Sequence, residues 1–409
     1  MSASTLEQPP KTGKGDGGGG SAITAYLSQN LQQYGMMAAL VVIVVLFQIM
    51  TDNRLLYPNN VASLIQENAY VLILTIGMVM VIVAGHIDLS VGSVVAFIGG
   101  LCALMITDWN LPWLLAVVLS IAVGGLVGCW QGFWIAYVGI PAFIVTLGGM
   151  LLFRGLAIVM VGTTVAGLPG GFNAISNHSL PNALGFIGQL DGLTLVIGAV
   201  AIAGLTLTQW RSRRALIRND LRVEPFAAFI GKIVVSVAVI GYITYLLAKS
   251  AGGTPIVLMI VGLLTILYTF VMSNTVFGRH IYAMGGNLPA AKLSGVKTER
   301  VNFLIFVNMG MLAGVAAVVT TSRAGAAVAA AGQNFELDSI AAAFIGGTAV
   351  TGGIGKVFGA IIGALIMGVL NMGLSIMSVD PAWQQAIKGL VLIAAVAFDI
   401  VNKRRASAS

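Results

Sequence analysis

The chain has 409 residues, 58% hydrophobic and only 9% charged, against roughly a quarter charged in a soluble domain. A soluble enzyme is excluded, and continuous rather than alternating apolar runs predict membrane-spanning helices instead of a closed barrel. The formal charge of +7 is gathered in short segments between apolar runs, a pattern of membrane topology and not of nucleic-acid binding.

Residues 1–22, with KTGKGDGGGGS at their heart, lack an apolar face and read as a flexible Gly-rich tail. The first apolar run begins near Met36, and no cleavable signal peptide is expected ahead of it. Apolar spans follow at about 36–51, 62–84, 91–107, 113–138, 142–161, 192–209, 228–248, 254–273, 301–321, 337–350, 356–377 and 384–401. The stretch 337–350 is short enough to be re-entrant. The fold class is therefore all-α, a polytopic integral membrane protein of about 10–12 transmembrane helices. Cys102 and Cys129 fall inside apolar runs, so no disulfide is inferred.

Basic residues orient the chain. Arg211, Arg213, Arg214, Arg218 and Arg222 fill one segment, a polar island at 277–301 fills another, and Lys403, Arg404 and Arg405 close the chain. All three are expected on the cytoplasmic side, which puts both termini there, while 161–191 carries no Lys or Arg and fits the outside. The organisation is then an N-terminal transmembrane half (23–210), a basic cytoplasmic loop (211–226) and a C-terminal transmembrane half (227–405) that includes the loop 277–300. A faint echo joins the halves: Ala96-Phe97-Ile98-Gly99-Gly100 recurs as Ala343-Phe344-Ile345-Gly346-Gly347, each after an acidic, hydroxyl-bearing stretch. Chance recurrence in so small-residue-rich a chain stands beside an internal repeat of the transporter kind.

Glycine ladders at Gly124, Gly128 and Gly132, and at Gly355, Gly359 and Gly363, bare one helix face for close packing, within one subunit or between two. Ionisable groups near lipid are costly and count as functional candidates: Glu67, His86, Asp88, Arg154, Glu336, Asp338, Lys356 and Lys388. Asp88 either caps the helix that follows or lines a pathway, and Asp338 invites the same two readings. Gln333, Asn334 and Glu336 are expected near an outer mouth, and Arg154 needs a carboxylate or carbonyl partner, Glu67 being one choice. The candidate pathway set is His86, Asp88, Ser90, Ser93, Thr146, Glu336, Asp338, Asn371 and Ser375. Gly352-Gly353-Ile354-Gly355-Lys356 departs from a phosphate-binding loop because Val357 follows the lysine and Val350 stands where its first glycine belongs. No catalytic set, nucleotide site or metal site is visible, and His86, His178 and His280 are scattered. Within the island FGRHIYAMGGNLPAAKLSGVKTERV, the centre Pro289 to Val296 reads as a short helix, more than a mere connection needs.

Four stretches together resemble one family, the permease subunits of bacterial ABC importers for monosaccharides of the ribose and xylose type. They are AGHIDLSVGSVVAF (84–97), PAFIVTLGGMLLFRG (141–155), FGRHIYAMGGNLPAAKLSGV (277–296) and ELDSIAAAFIGGTAVTGGIGKVFGAIIGALIMGVLNMGL (336–374). A long stretch from about Asn182 to Thr254 looks like the xylose or multiple-monosaccharide branch. The resemblance implies an inner-membrane homodimer fed by a periplasmic sugar-binding protein and driven by a cytoplasmic two-cassette ATPase that itself binds the ATP. It implies that the island carries the coupling helix, through Arg279, Gly285, Gly286, Asn287, Pro289, Ala290, Ala291, Lys292, Leu293, Ser294 and Gly295. Pro289 stands where the family has Glu, which suits a first helical turn and shifts the expected contact to Leu293, Ser294, Arg279 and Lys292. Ala291→Glu presents itself as the probe of that surface. A proton-coupled secondary transporter relaying protons through Asp88, Glu336 or Asp338 is the alternative, as is an ABC permease for another small solute.

Overall fold

The computed structural model describes residues 31–221 and 223–408, so the tail 1–22 and Arg222 lie outside the described residues. The chain is an all-α bundle. Its helices are α1 (Leu31–Met50), α2 (Pro58–Glu67), α3 (Ala69–Val83), α4 (Val91–Thr107), α5 (Trp113–Ala136), α6 (Ala142–Val161), α7 (Gly170–Asn177) and α8 (Gly192–Arg218). They continue as α9 (Phe226–Lys249), α10 (Ile256–Asn274), α11 (Val276–Gly286), α12 (Leu288–Leu293), α13 (Thr298–Ala324), α14 (Phe335–Ile345), α15 (Val357–Ile376) and α16 (Pro381–Ala408). Four two-residue strands form two antiparallel pairs: β1 (Thr164–Val165) with β4 (Ala327–Val328), and β2 (Phe186–Ile187) with β3 (Leu190–Asp191).

Among the described residues, seven helices are long and apolar enough to cross a bilayer, and an eighth span forms if α2 and α3, bent by 45° at their junction, are taken together. The break in the expected span 62–84 has a local cause. Asn68 turns its Nδ2 back to the Leu64 carbonyl (3.0 Å) and accepts from Asn371 Nδ2 (2.9 Å), so its side chain serves a neighbouring helix and not the continuation of its own. The expected span 337–350 becomes α14, 11 residues long and only about 16 Å at a rise of about 1.5 Å per residue. That is about half of a hydrocarbon core of about 30 Å, too short to cross it alone. The expected loop 211–226 also shrinks: Arg211, Arg213, Arg214 and Arg218 lie on the last turns of α8.

The halves interlock along α5 and α13. A Cβ on Gly124 would lie 2.3 Å from the Gly310 carbonyl oxygen, and one on Gly128 would lie 2.3 Å from that of Phe306. Bare glycine faces therefore let the two backbones touch, the contact that GxxxG spacing permits in lipid. The second ladder does the same within the subunit, with Gly359 against Gly346 and Gly363 against Ala342. Its first member, Gly355, sits in the turn before α15.

The echo segments run in opposite senses. The end of α4 packs with Val165, Leu168 and Ala327 at the β1–β4 end of the bundle, whereas α14 ends in a turn, 346–356, that lies against Val83 and Gly285. Their beginnings meet in between, where a Cβ on Gly92 would lie 2.1 Å from the Gly332 carbonyl oxygen and 2.3 Å from Glu336 Oε2.

Candidate translocation site and coupling surface

Two polar clusters flank this meeting of helix starts. In the first, Asp88 is 2% exposed and accepts from the Ser90 amide (2.8 Å) and from Ser90 Oγ (2.7 Å). Ser90 Oγ in turn accepts from Gln131 Nε2 (2.6 Å), which tethers the loop before α4 to α5. Thr146 of α6 reaches the Ile87 carbonyl (3.4 Å), and Ser93 is buried one turn into α4. Asp88 is thus a turn-maker whose second carboxylate oxygen remains for other work. His86 stands aside, its Nε2 3.1 Å from Asn302 Oδ1 at the start of α13.

In the second cluster, Asp338 is 3% exposed, and its Oδ2 accepts from the Tyr70 hydroxyl (2.8 Å) and pairs with Lys388 Nζ (3.2 Å). Tyr70 also stacks on Phe335, ring centroids 3.5 Å apart. Asn371, bonded to Asn68 at the α2–α3 break, completes this side. Glu336 lies between the clusters, within electrostatic reach of Arg154, Asp338 and Asp88. Its Oε2, like Asn371 Oδ1, is buried with no hydrogen-bond partner among the described residues. Buried acceptors left open cost stability, so they mark where a hydroxyl-bearing guest gains most. Ser375, exposed at the end of α15, joins neither cluster.

Two pairings differ from expectation. Arg154 does not meet Glu67: its Nη1 donates to the carbonyls of Ala329 (3.1 Å) and Ala331 (2.7 Å), pinning the segment that leads into α14. Glu67 pairs instead with Arg323 (3.0 Å), an ion pair open to solvent and worth little. Asn334 takes a left-handed conformation (φ 66°) next to the start of α14. Sequence reasoning passed over Gln131 and Tyr70. Each is a polar group inside an apolar run, a signal that was readable, but without the fold neither had a partner to point to.

The polar island folds as two helices, α11 and α12. Thr275 caps α11 through the Gly278 amide (3.2 Å), and Asn287 caps α12 through the Ala290 amide (3.0 Å) with Pro289 in the first turn. Only Ala291 of α12 is buried, at 4%, while Leu293 is 91% exposed and Leu288, Pro289, Ala290, Lys292 and Ser294 are exposed too. Ala291 therefore faces inward, so Ala291→Glu would test packing and not docking; Leu293 is the outward probe. Gly295, at φ 82°, ends the helix in a conformation that suits glycine.

Just before α12 the backbone enters a crossing of three chain segments. A Cβ on Gly285 would lie 1.6 Å from the Val83 carbonyl oxygen and 2.6 Å from the Gly353 amide, and that amide itself donates to Val83 (2.9 Å). Gly352 and Gly353 take φ of 80° and 75° to fit there. Tyr282 closes the joint by donating its hydroxyl to the Gly355 carbonyl (2.5 Å), and burial pushes its phenol up. Val83 precedes the Asp88 loop, and Gly352–Gly355 follows α14 with Glu336 and Asp338. The exposed face of α12 is thus linked through this crossing to the segments that carry both polar clusters.

A polytopic helical bundle with partial helices meeting at buried, incompletely paired polar groups is a membrane transport permease. The chain belongs to the family described as branched-chain amino acid transport system / permease component, whose model matches residues 60–396. It is 39% identical to the xylose transport system permease protein XylH of Haemophilus influenzae, over 92% of this chain and 98% of that one. It is likewise 39% identical to XylH of Escherichia coli, over 92% and 94%, and 29% identical to the ribose import permease protein RbsC of Escherichia coli, over 92% and 95%. No solved structure matches. The chain is a multi-pass inner-membrane protein and a permease component of a transport system.

Proposed function

We propose that this chain is the non-catalytic translocation subunit of an ATP-driven importer, and that its cargo is a monosaccharide of the xylose kind. The 39% identity to xylose permeases, against 29% to a ribose permease, favours the pentose xylose over ribose. The partners are a cytoplasmic two-cassette ATPase that binds the ATP, a periplasmic sugar-binding protein and a second copy of this chain. The chain itself holds no cofactor. Sugar hydroxyls passing the junction meet Asp88, Ser90, Ser93, Thr146 and Glu336 on one side and Asp338 and Asn371 on the other. So few groups bind weakly, as a conduit requires, and leave selection to the binding protein.

The observation that carries this reading is the crossing at Gly285. The ATPase presses on α12 through Leu293, Ser294, Lys292 and Arg279, and the crossing passes the displacement to the α3–α4 loop and to the α14–α15 turn together. Both helix starts then move relative to each other, opening the path to one side and closing it to the other. Uptake of labelled xylose in proteoliposomes holding the chain, its ATPase and the binding protein tests this. Leu293→Asp should cut uptake at least about tenfold, the cost of an unpaired charge in an interface, while the protein inserts and melts as wild type. Undiminished uptake would sink the coupling role. Uptake by the chain alone, collapsed by a protonophore, would instead establish the proton-coupled transporter, for which buried Asp88, Glu336 and Asp338 supply the carboxylates.

A further inference from the structure

We propose that the cleft between the tips of α8 and α9 binds the headgroup phosphate of an anionic phospholipid. α8 has 27 residues and is about 40 Å long at a rise of about 1.5 Å per residue, while the hydrocarbon core is about 30 Å thick. Its last two turns therefore rise into the headgroup layer, and they carry Arg211, Arg213, Arg214 and Arg218. Trp210 marks the boundary, half-exposed beneath the Arg214 guanidinium at 5.5 Å, the position such rings favour at an interface. The tip also exposes Ile217, Leu221 and Phe226 among the cations, so apolar and positive groups share one level, as an interfacial surface requires.

At that level a cavity of ≈ 360 Å³ opens between the helices, lined on its polar side by Gln209, Ser212, Arg213, Glu224 and Lys232 and walled by Phe229. Arg213 is held rigid: its Nη1 donates to the Glu224 carbonyl (2.7 Å), and its guanidinium lies 4.8 Å from the Phe229 ring centroid and 5.6 Å from that of Phe226. The Glu224 carboxylate stands 4.0 Å from Lys232 Nζ and offsets one of the two lining cations. One positive charge remains among the described lining residues, and Arg211, Arg214 and Arg218 are exposed elsewhere on the same turns of α8, adding to the positive charge of the tip. A fixed guanidinium, an ammonium, a hydroxyl and an amide suit a phosphodiester, and Phe229 suits the glycerol and first methylenes of a lipid. A second copy of this chain fits the cleft worse, because a two-fold contact here would set arginine tip against arginine tip.

This inference is independent of what the permease carries. The full-length protein is reconstituted into nanodiscs of equal parts phosphatidylcholine and phosphatidylglycerol, and lipids retained after gentle delipidation are counted by native mass spectrometry. Wild type is expected to retain phosphatidylglycerol about tenfold over phosphatidylcholine. Lys232→Gln should lower that preference about fivefold, the share of one cation near an anionic leaflet, and Lys249→Gln, at the opposite end of α9, should not. Arg213→Gln loses most of the preference; because Arg213 also braces the hairpin, the wild-type selectivity and Lys232→Gln carry the test alone if that variant fails to fold. Equal retention of the two lipids, or an unaltered preference in Lys232→Gln, overturns the proposal. So does inorganic phosphate binding with the same Lys232 dependence in purely zwitterionic nanodiscs, which makes the cleft a free-anion site, or a Lys232→Gln protein that changes its oligomeric mass, which makes it an interface between copies.

Discussion

α15 and α9 are almost equally apolar, yet 78% of the apolar window of α15 is buried inside the protein and only 6% of that of α9. In lipid there is no hydrophobic penalty for facing outward, so apolarity places a helix in the membrane without saying what it packs against. The difference lies in the small and polar residues. α15 presents Gly359 and Gly363 to backbones of the α14 region, Gly368 to Asn68 and Gly373 to Phe47. Gly231 and Gly241 of α9, by contrast, meet nothing within 4 Å. α9 buries only Phe229 near its tip and Leu246, Leu247 and Ala248 near its other end, where it meets α2 and β3. The helices that bring the two polar clusters together are those whose backbones touch, and the α8–α9 hairpin stands out from them with little of its surface covered by the rest of the chain.

The largest effect that would sharpen this contrast belongs to Gly285→Val. Its side chain has no room between Val83 and Gly353, so the crossing must open; stability should fall by about 3 kcal/mol or more, and uptake should disappear even in the fraction that inserts correctly. Wild-type melting and uptake in this variant would remove the crossing from the mechanism. Next comes Asp338→Asn, which leaves the largely buried Lys388 ammonium facing a neutral amide. A loss of about 2–4 kcal/mol is expected from breaking such a pair, with partial recovery in the Asp338→Asn/Lys388→Gln double variant; thermal melts of the four proteins of the cycle decide it.

A direct test of the contrast itself pairs Gly363→Leu with Gly241→Leu. The first drives a side chain into the Ala342 carbonyl, 2.0 Å from the ideal Cβ, and should cost about 1–3 kcal/mol. The second enters open space and should stay within about 0.5 kcal/mol of wild type. If both melt alike, the hairpin is packed against something that the isolated chain does not contain. The smallest effect on stability is expected for Leu293→Ser: at 91% exposure the side chain holds nothing within the subunit, so melting is unchanged while ATPase-coupled uptake falls.

Much of the fold was legible in the residues. The expected spans 91–107 and 142–161 coincide with α4 and α6, and 113–138 and 254–273 fall within two residues of α5 and α10 at each end, because long apolar runs between turn residues have one stable form in lipid. The short helix in the polar island was also legible from Pro289 and its neighbours. That Ala291 turns inward was not, since six residues of mixed character define no face. The partners of Arg154 were hidden for a similar reason: a guanidinium can take carbonyls as readily as a carboxylate, and carbonyls leave no trace in a sequence.

The residues alone were enough to define an α-helical membrane protein and to show where polar groups interrupt its apolar runs. Each of these follows from the cost of exposing charge or unpaired backbone to hydrocarbon, which acts residue by residue. Only the tertiary structure decided that Val83, Gly285 and Gly353 share one crossing, that Asp88 and Asp338 belong to separate clusters with Glu336 between them, and that equally apolar helices are core in one case and appendage in the other. Those outcomes depend on which backbones approach, and helices apolar on every side carry no stripe that names their neighbours.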